Sequence, residues 1–325
     1  MKESDIRPKA IFDEYLRLTA CDVEMFFRAA PRHPVGCPAC GGVGSEAFAK
    51  SGFSYAVCAE CETLFVTPRP ERAAFEAYYR DAPSTRFWAT VFYKETEAAR
   101  REQIWKPRAR LVVDKIRAFG GGGQVVDIGG GYGTFAEELV ALAGFSVTVV
   151  EPSVHLARVC RERGLRVVER FLEGLTPNDL PPGPKTFVSF ELFEHLHEPV
   201  LFLEALLRLM GPDDMFIFTT LSGTGLDIQV LWENSKAVSP PHHLNFINPR
   251  AARLLLDRCG MGVIEVTTPG RLDVDILAND IGHVTDRFWR GFLRRSDETA
   301  KERLQRYIAD NLLSSHMMVV ARRRA

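Results

Sequence analysis

The residues with the plainest chemistry are four cysteines, Cys37 and Cys40 in CPAC and Cys58 and Cys61 in CAEC, two C-x2-C pairs with seventeen residues between them. Two residues between thiolates let a tight turn direct both sulfurs at one ion, and two such turns complete a tetrahedral site that zinc accepts without a geometric preference of its own. The pattern predicts a structural zinc held by Cys37, Cys40, Cys58 and Cys61; four thiolates leave no open position for water or substrate, so a catalytic zinc is not expected. A second group suits a nucleoside. Gln124 to Ile128 reads as a buried strand, Gly129, Gly131 and Gly133 follow in a turn, and Thr134 to Ala143 continues as a helix. Glycines let a backbone turn sharply and approach a ligand, and the helix start offers unpaired N–H groups. Some twenty residues on, Glu151 closes the strand Ser146 to Val150, where a carboxylate can accept from both ribose hydroxyls. The third group is histidine-rich: Glu191, Glu194, His195 and His197 follow a fourth strand, and His242-His243 lies in SPPHHLNF after a fifth. Histidine titrates near neutrality and is the obvious general base. Glu194 and His197 are expected as solvated or capping groups.

The glycine spacing separates two cofactor classes. The dinucleotide fingerprint G-x-G-x-x-G needs glycine or alanine at its sixth position, and counting from Gly129 that position is Thr134. Instead, VVDIGGGYGTFAEEL resembles the first motif of class I S-adenosylmethionine-dependent methyltransferases, D-x-G-x-G-x-G, with Asp127, Gly129, Gly131 and Gly133 on the motif positions. VTVVEPS and VSFELFEHLHEP continue the resemblance in order. It implies S-adenosylmethionine as cofactor, its methionine portion on the glycine loop, its ribose on Glu151, its adenine against the stretch that holds Phe171, and Glu191 on the cofactor side of the fourth strand.

Taken whole, the cysteine ribbon, the aromatic segment behind it, the methyltransferase motifs and the HH pair resemble the zinc-ribbon methyltransferases of bacterial surface-polysaccharide and secondary-metabolite pathways, which include sugar C-methyltransferases. In those sugar enzymes a histidine after the fourth strand and an E-H pair after the fifth assist deprotonation. His195 and His243 fall on matching positions, and His242 stands in place of the glutamate. The resemblance implies O- or C-methylation of a small acceptor, a sugar or nucleotide-linked sugar, with His243, His195 and His242 as the catalytic set. Two rivals come from other classes: an RNA base methyltransferase that grips RNA with its ribbon, and a non-catalytic subunit that only binds the cofactor. From Cys37 to Cys61 the ribbon carries Lys50 as its one cation against Glu46 and Glu60, which gives little attraction for a phosphate backbone.

The elements that must position these groups are those of a soluble α/β protein. The chain has 325 residues, 46% hydrophobic and 26% charged, with a formal net charge of -1, which provides no general attraction to nucleic acid or anionic lipid. The opening MKESDIRPKAIFDEY puts charges and a proline where a signal peptide needs an apolar stretch, and no apolar run reaches membrane-spanning length, so a cytoplasmic protein without membrane attachment is expected. Cys21, Cys160 and Cys259 stand alone and are expected as packed, reduced thiols.

The pattern predicts a helical segment over 1–33, the ribbon over 34–68 with a hairpin in Phe48 to Val57, and an aromatic-rich helical connector over 69–118 that includes Phe75, Tyr78, Tyr79, Trp88 and Phe92. Over 119–325 it predicts a Rossmann-like, seven-stranded methyltransferase sheet whose alternating strands and helices imply a mostly parallel order. An inserted helical stretch, 269–312, is expected beside the acceptor pocket, with a homodimer contact as its competing reading.

Overall fold

A computed structural model of the chain describes residues 2–324. It divides into two compact units, a ribbon unit of Met1–Arg100, Leu221–Ala251 and Thr268–Met317 and a sheet unit of Arg101–Thr220, Ala252–Thr267 and Met318–Ala325.

The sheet unit is built on seven strands: β1 Gln124–Ile128, β2 Ser146–Val150, β3 Arg166–Val168, β4 Lys185–Phe190, β5 Met215–Leu221, β6 Met261–Thr267 and β7 His316–Arg323. Their order is β6-β7-β5-β4-β1-β2-β3. The pairs β4/β5, β4/β1, β1/β2 and β2/β3 are parallel, and β6 runs antiparallel to β7. This is the α/β, seven-stranded arrangement that the alternation predicts. Because β1 lies between β4 and β2, the crossovers on its two sides run in opposite directions and leave a crevice at the strand carboxyl ends.

Both faces of the sheet are covered, which is why its strands read as near-continuous apolar runs. On one face the helix Lys106–Phe119 buries Ala109, Val112, Val113 and Ile116 at helical spacing, beside Phe135, Ala136 and Leu139 of the helix Thr134–Ala143. They cover Val125, Val147, Val149, Val188, Met215 and Ile217. Burying each such side chain stabilises by about 1.5–3 kcal/mol. Strand alternation turns Phe216 and Phe218 to the other face, where Phe218 stacks on Phe193 at 4.9 Å and the helix Pro199–Leu209 brings Phe202.

In the ribbon unit the strands Gly44–Lys50 and Phe53–Cys58 form the expected hairpin, longer at both ends than the alternation suggests. The turn is Ser51-Gly52, with φ of 46° and 74°, matching the twist of the flanking strands. Leu64–Val66 pairs antiparallel with the second strand, and Asn245–Phe246 pairs with Leu64–Val66 as a fourth strand. Nothing in the local pattern announces that last strand; the sequence reads as a long loop there. A continuous helix, Lys9–Phe27, sets Phe27 against Phe53, Phe75 and Tyr78 with ring centroids 5.3, 4.9 and 5.5 Å away. The helices Asp273–Asn279, Arg287–Arg295 and Glu298–Asp310 pack a separate small core of Val274, Leu277, Leu293 and Ile308 with Leu231.

One expectation is corrected. Cys160 is buried and Cys259 is half-buried, but Cys21 is exposed, because the helix Lys9–Phe27 buries the face of Tyr15, Thr19 and Val23 and Cys21 falls on the opposite side. Among the described residues no helix is long and apolar enough to cross a membrane.

Candidate active site

In the sheet unit, the loop after β1 holds Gly129, Gly131 and Gly133 at φ of 72°, 56° and 72°, the left-handed region in which any side chain is strained. Two of them show different constraints. A methyl group on Gly133, the residue before the helix Thr134–Ala143, would meet Leu165 Cδ1 at 2.4 Å and the Cys160 sulfur at 3.0 Å, so the loop is seated on these two side chains. A methyl group on Gly131 would meet no atom within 4 Å, so the loop turns this residue toward open space. From below, the Cys160 S–H donates to the Gly131 carbonyl at 3.1 Å.

Two carboxyls flank this loop. Glu151, 6% exposed, accepts from the Gly131 N–H at 3.0 Å and from the Ser153 N–H at 2.9 Å; burial pushes its pKa up, and those two backbone donors oppose the shift. Asp127, 2% exposed, has one carboxylate oxygen, Oδ2, that meets no protein donor. Burial first, and the Glu151 charge second, push Asp127 up to about 7. A buried acceptor without a donor, a loop that turns Gly131 toward open space, and a carboxylate with lone pairs left over after two bonds are what a zwitterionic nucleoside ligand with hydroxyl and ammonium donors requires. Phe171 lies beyond the end of β3 on an exposed loop, 63% exposed, with its ring available for stacking.

Glu191, the residue after β4, has φ of 52°, unusual for a residue with a Cβ. Its Oε1 accepts from Arg108 Nη2 at 3.0 Å and from Thr219 Oγ1 at 2.8 Å. Arg108 is 9% exposed, its guanidinium 5.1 Å from the ring centroids of both Trp105 and Phe190. Sequence reasoning missed Arg108; its one local signal is a cation on the apolar face of Ala109, Val112 and Val113. Glu194 is also corrected. It is 1% exposed, accepts from Thr220 Oγ1 at 3.0 Å, and is pushed up to about 8 by burial and then by Glu191, so it is no solvated cap. His195 ends the short turn Phe193–His195 and is half-buried, with its N–H on the Leu192 carbonyl at 2.9 Å.

His242 and His243 belong to the ribbon unit. The His243 ring is half-buried, and its Nδ1 lies 2.5 Å from the Ala237 carbonyl. A carbonyl only accepts, so Nδ1 carries a proton, and in the neutral form of the ring the lone pair sits on Nε2. His242 is 8% exposed, with Nε2 at 2.7 Å from the Tyr78 hydroxyl. Burial, and secondarily His243, push it down to about 3, so it stays neutral at physiological pH.

The four cysteines of the two knuckles come together, with Cys37 and Cys61 sulfurs 3.5 Å apart, Cys40 and Cys58 sulfurs 3.3 Å apart, and all four within 4.8 Å of one another. A tetrahedral ion with metal–sulfur bonds of about 2.3 Å requires sulfurs about 3.8 Å apart, so the donor set fits one. The knuckles repeat the same turn: Gly41 N–H donates to the Cys37 carbonyl at 2.8 Å and Glu62 N–H to the Cys58 carbonyl at 2.9 Å. Asn248 Nδ2 donates to the Cys61 carbonyl at 2.7 Å, tying the segment after His243 to the second knuckle.

The family described as "Methyltransferase domain" matches residues 99–266, just over half of the chain, and the chain belongs to this family, the class I S-adenosylmethionine-dependent methyltransferases. No curated protein matches it in sequence. Among solved structures, the plantazolicin methyltransferase BpumL in complex with a monoazolic desmethylPZN analog and SAH is 12% identical at a TM-score of 0.50, covering 78% of this chain and 95% of that one. BpumL with a pentazolic analog and SAH gives 12% identity and a TM-score of 0.50 over 78% of this chain and 96% of that one. A SAM dependent methyltransferase from Archaeoglobus fulgidus is 18% identical over 72% of this chain and 100% of that one, with a TM-score of 0.48. At the BpumL identities the likeness is one of fold.

Proposed function

We propose that the chain methylates a small, sugar-derived acceptor at an oxygen or carbon that must lose a proton, with His243 as the proton acceptor. The observation that carries this reading is the His243 ring, whose Nδ1–H on the Ala237 carbonyl leaves Nε2 as the basic nitrogen. S-adenosylmethionine, when bound, supplies a methyl group on a sulfonium centre. Asp127, the loop of Gly129, Gly131 and Gly133, and Glu151 would hold it by its ammonium and hydroxyl groups; Phe171 would stack on the base, and Glu191, fixed by Arg108, would bound the methionine side. His243 would take the proton from the acceptor's O–H or C–H group, leaving there the electron pair to which the bound cofactor would supply its methyl group. His195 is the second proton-handling candidate; His242, buried and neutral, positions its neighbour and does not exchange protons itself. The ribbon over 34–68 binds structural zinc through Cys37, Cys40, Cys58 and Cys61, and the paired strand Asn245–Phe246 makes its integrity a condition for holding His243.

The test is to incubate the protein with methyl-tritiated S-adenosylmethionine and separated cell fractions. Label is expected in nucleotide sugars or other small metabolites. Label confined to RNA would overturn the reading and make the ribbon an RNA grip.

A further inference from the structure

A buried polar chain runs through the ribbon unit and ends at the histidine pair. Asp22 Oδ2 accepts from the Ser84 backbone N–H at 2.8 Å, Ser84 Oγ lies 2.9 Å from the Tyr78 hydroxyl, and that hydroxyl lies 2.7 Å from His242 Nε2. All four residues are buried: Asp22 and His242 are 1% and 8% exposed, Ser84 and Tyr78 not at all. Three tyrosine rings, Tyr15, Tyr78 and Tyr79, surround the His242 ring with centroids 5.9, 5.2 and 6.0 Å away. Asp22, Tyr78 and Ser84 precede the residues that the methyltransferase family matches, which begin at 99.

A buried polar chain adds little net stability over an apolar one of the same shape, but leaving one member unbonded is costly. Stability alone therefore gives no reason for a histidine in this aromatic cage. What the chain does is fix orientation. His242 is joined directly to His243, whose backbone N–H donates to the Ser239 carbonyl at 3.1 Å and whose carbonyl accepts from the Tyr55 hydroxyl at 2.8 Å. With its ring bonded to Tyr78, His242 cannot rotate, and the backbone between the two histidines is locked.

We propose that Tyr78 is a positioning residue for methyl transfer: through His242 its hydroxyl holds the turn that keeps His243 Nδ1–H on the Ala237 carbonyl and presents Nε2 as the base. The proposal rests on the reading of His243 as proton acceptor. Without the hydroxyl, His242 Nε2 loses its bond to Tyr78, the ring is held less firmly in its orientation, and the His243 bond to Ala237 loosens with it.

The variant is Tyr78→Phe, which keeps the ring that packs on Phe26 and Phe27 and removes only the oxygen. In the full chain carrying 15N-histidine, the side-chain NMR signals of His243 report its tautomer without any acceptor. The wild type is expected as the Nδ1–H form and Tyr78→Phe as an exchanging mixture of both forms. Transfer of tritiated methyl from S-adenosylmethionine into the small-metabolite fraction is expected to fall about 10- to 100-fold, the cost of a base displaced by about 1 Å. Placed on His243→Ala, Tyr78→Phe is expected to cause no further loss. An unchanged His243 tautomer in Tyr78→Phe, or losses that multiply in the double variant, overturns the proposal. Full transfer by His243→Ala would instead remove the base reading, and the tautomer alone would then decide what Tyr78 holds. Should Tyr78→Phe not fold, Ser84→Ala removes one of the two partners of the Tyr78 hydroxyl; a shift of the His243 tautomer in the same direction is expected, and none would overturn the proposal.

Discussion

Replacing Arg108 with methionine keeps the length of the side chain and its packing between Trp105 and Phe190 while removing the charge that faces Glu191. The Arg108 side chain is 9% exposed and that of Glu191 is 35% exposed, with a separation of 3.0 Å. Removing one partner of a fully buried pair costs about 3–5 kcal/mol. Glu191 keeps about a third of its surface in water and retains the Thr219 hydroxyl, so the lower end applies, about 3 kcal/mol, part of it the lost attraction between the guanidinium and the two rings. For a unit of this size each kcal/mol moves the melting temperature by about 2–4 °C, so Arg108→Met is expected to melt about 6–12 °C lower by circular dichroism. The double variant Arg108→Met/Glu191→Leu replaces the pair by apolar groups and is expected to recover most of that loss. A single variant within about 1 °C of wild type, or a double variant as unstable as the single one, would refute the claim that the pair holds the turn after β4.

Two further outcomes concern protons and metal. Asp127 is pushed up to about 7, and Glu194 and Asp227 to about 8, Asp227 by burial and by the neighbouring Asp273. Each keeps its proton in the folded chain where the unfolded chain has released it, so its stabilising effect is complete below the ordinary carboxylate range and is lost as pH rises through the folded value. The melting temperature is expected to fall from pH 5 to pH 9, less steeply in Asp227→Asn; a flat or rising profile would contradict the assignment. For the cysteine cluster, elemental analysis is expected to find about one zinc per chain, and Cys58→Ser to lose it and melt the ribbon strands first in hydrogen exchange. Metal-free protein with full exchange protection would sink the zinc reading.

Most of the sheet was legible because its signals are local. The strand Gln124–Ile128, the glycine turn and the helix Thr134–Ala143 announce themselves within twenty residues, and the apolar runs of β2, β4 and β5 follow from burial on both faces. The cysteine pairs are equally local, since each knuckle is its own tight turn. What stayed hidden joins residues far apart in the chain. Glu191 finds Arg108 83 positions away, and His242 finds Tyr78 164 positions away. The strand Asn245–Phe246 has only two residues, too few to show a period, and exists because Leu64–Val66 offers it an open edge. Burial misled in both directions for the same reason. Glu194 is charged in type but enclosed by the turn after β4, whereas Cys21 is apolar in type and sits on the outer side of its helix.

The most direct test of the account is a calorimetric titration of S-adenosylmethionine into the wild-type chain and into Glu151→Ala. Wild type is expected to bind with a Kd on the order of 1–100 μM, in the range where enzymes hold their substrates. Loss of the carboxylate removes charge-assisted bonds worth about 1.5–3 kcal/mol, which is about 10- to 100-fold in affinity. The variant also loses the tie from Glu151 to the Gly131 N–H. Wild-type protein that takes up no S-adenosylmethionine, or a Glu151→Ala variant that binds as tightly as wild type, would contradict the cofactor site on which every later step depends.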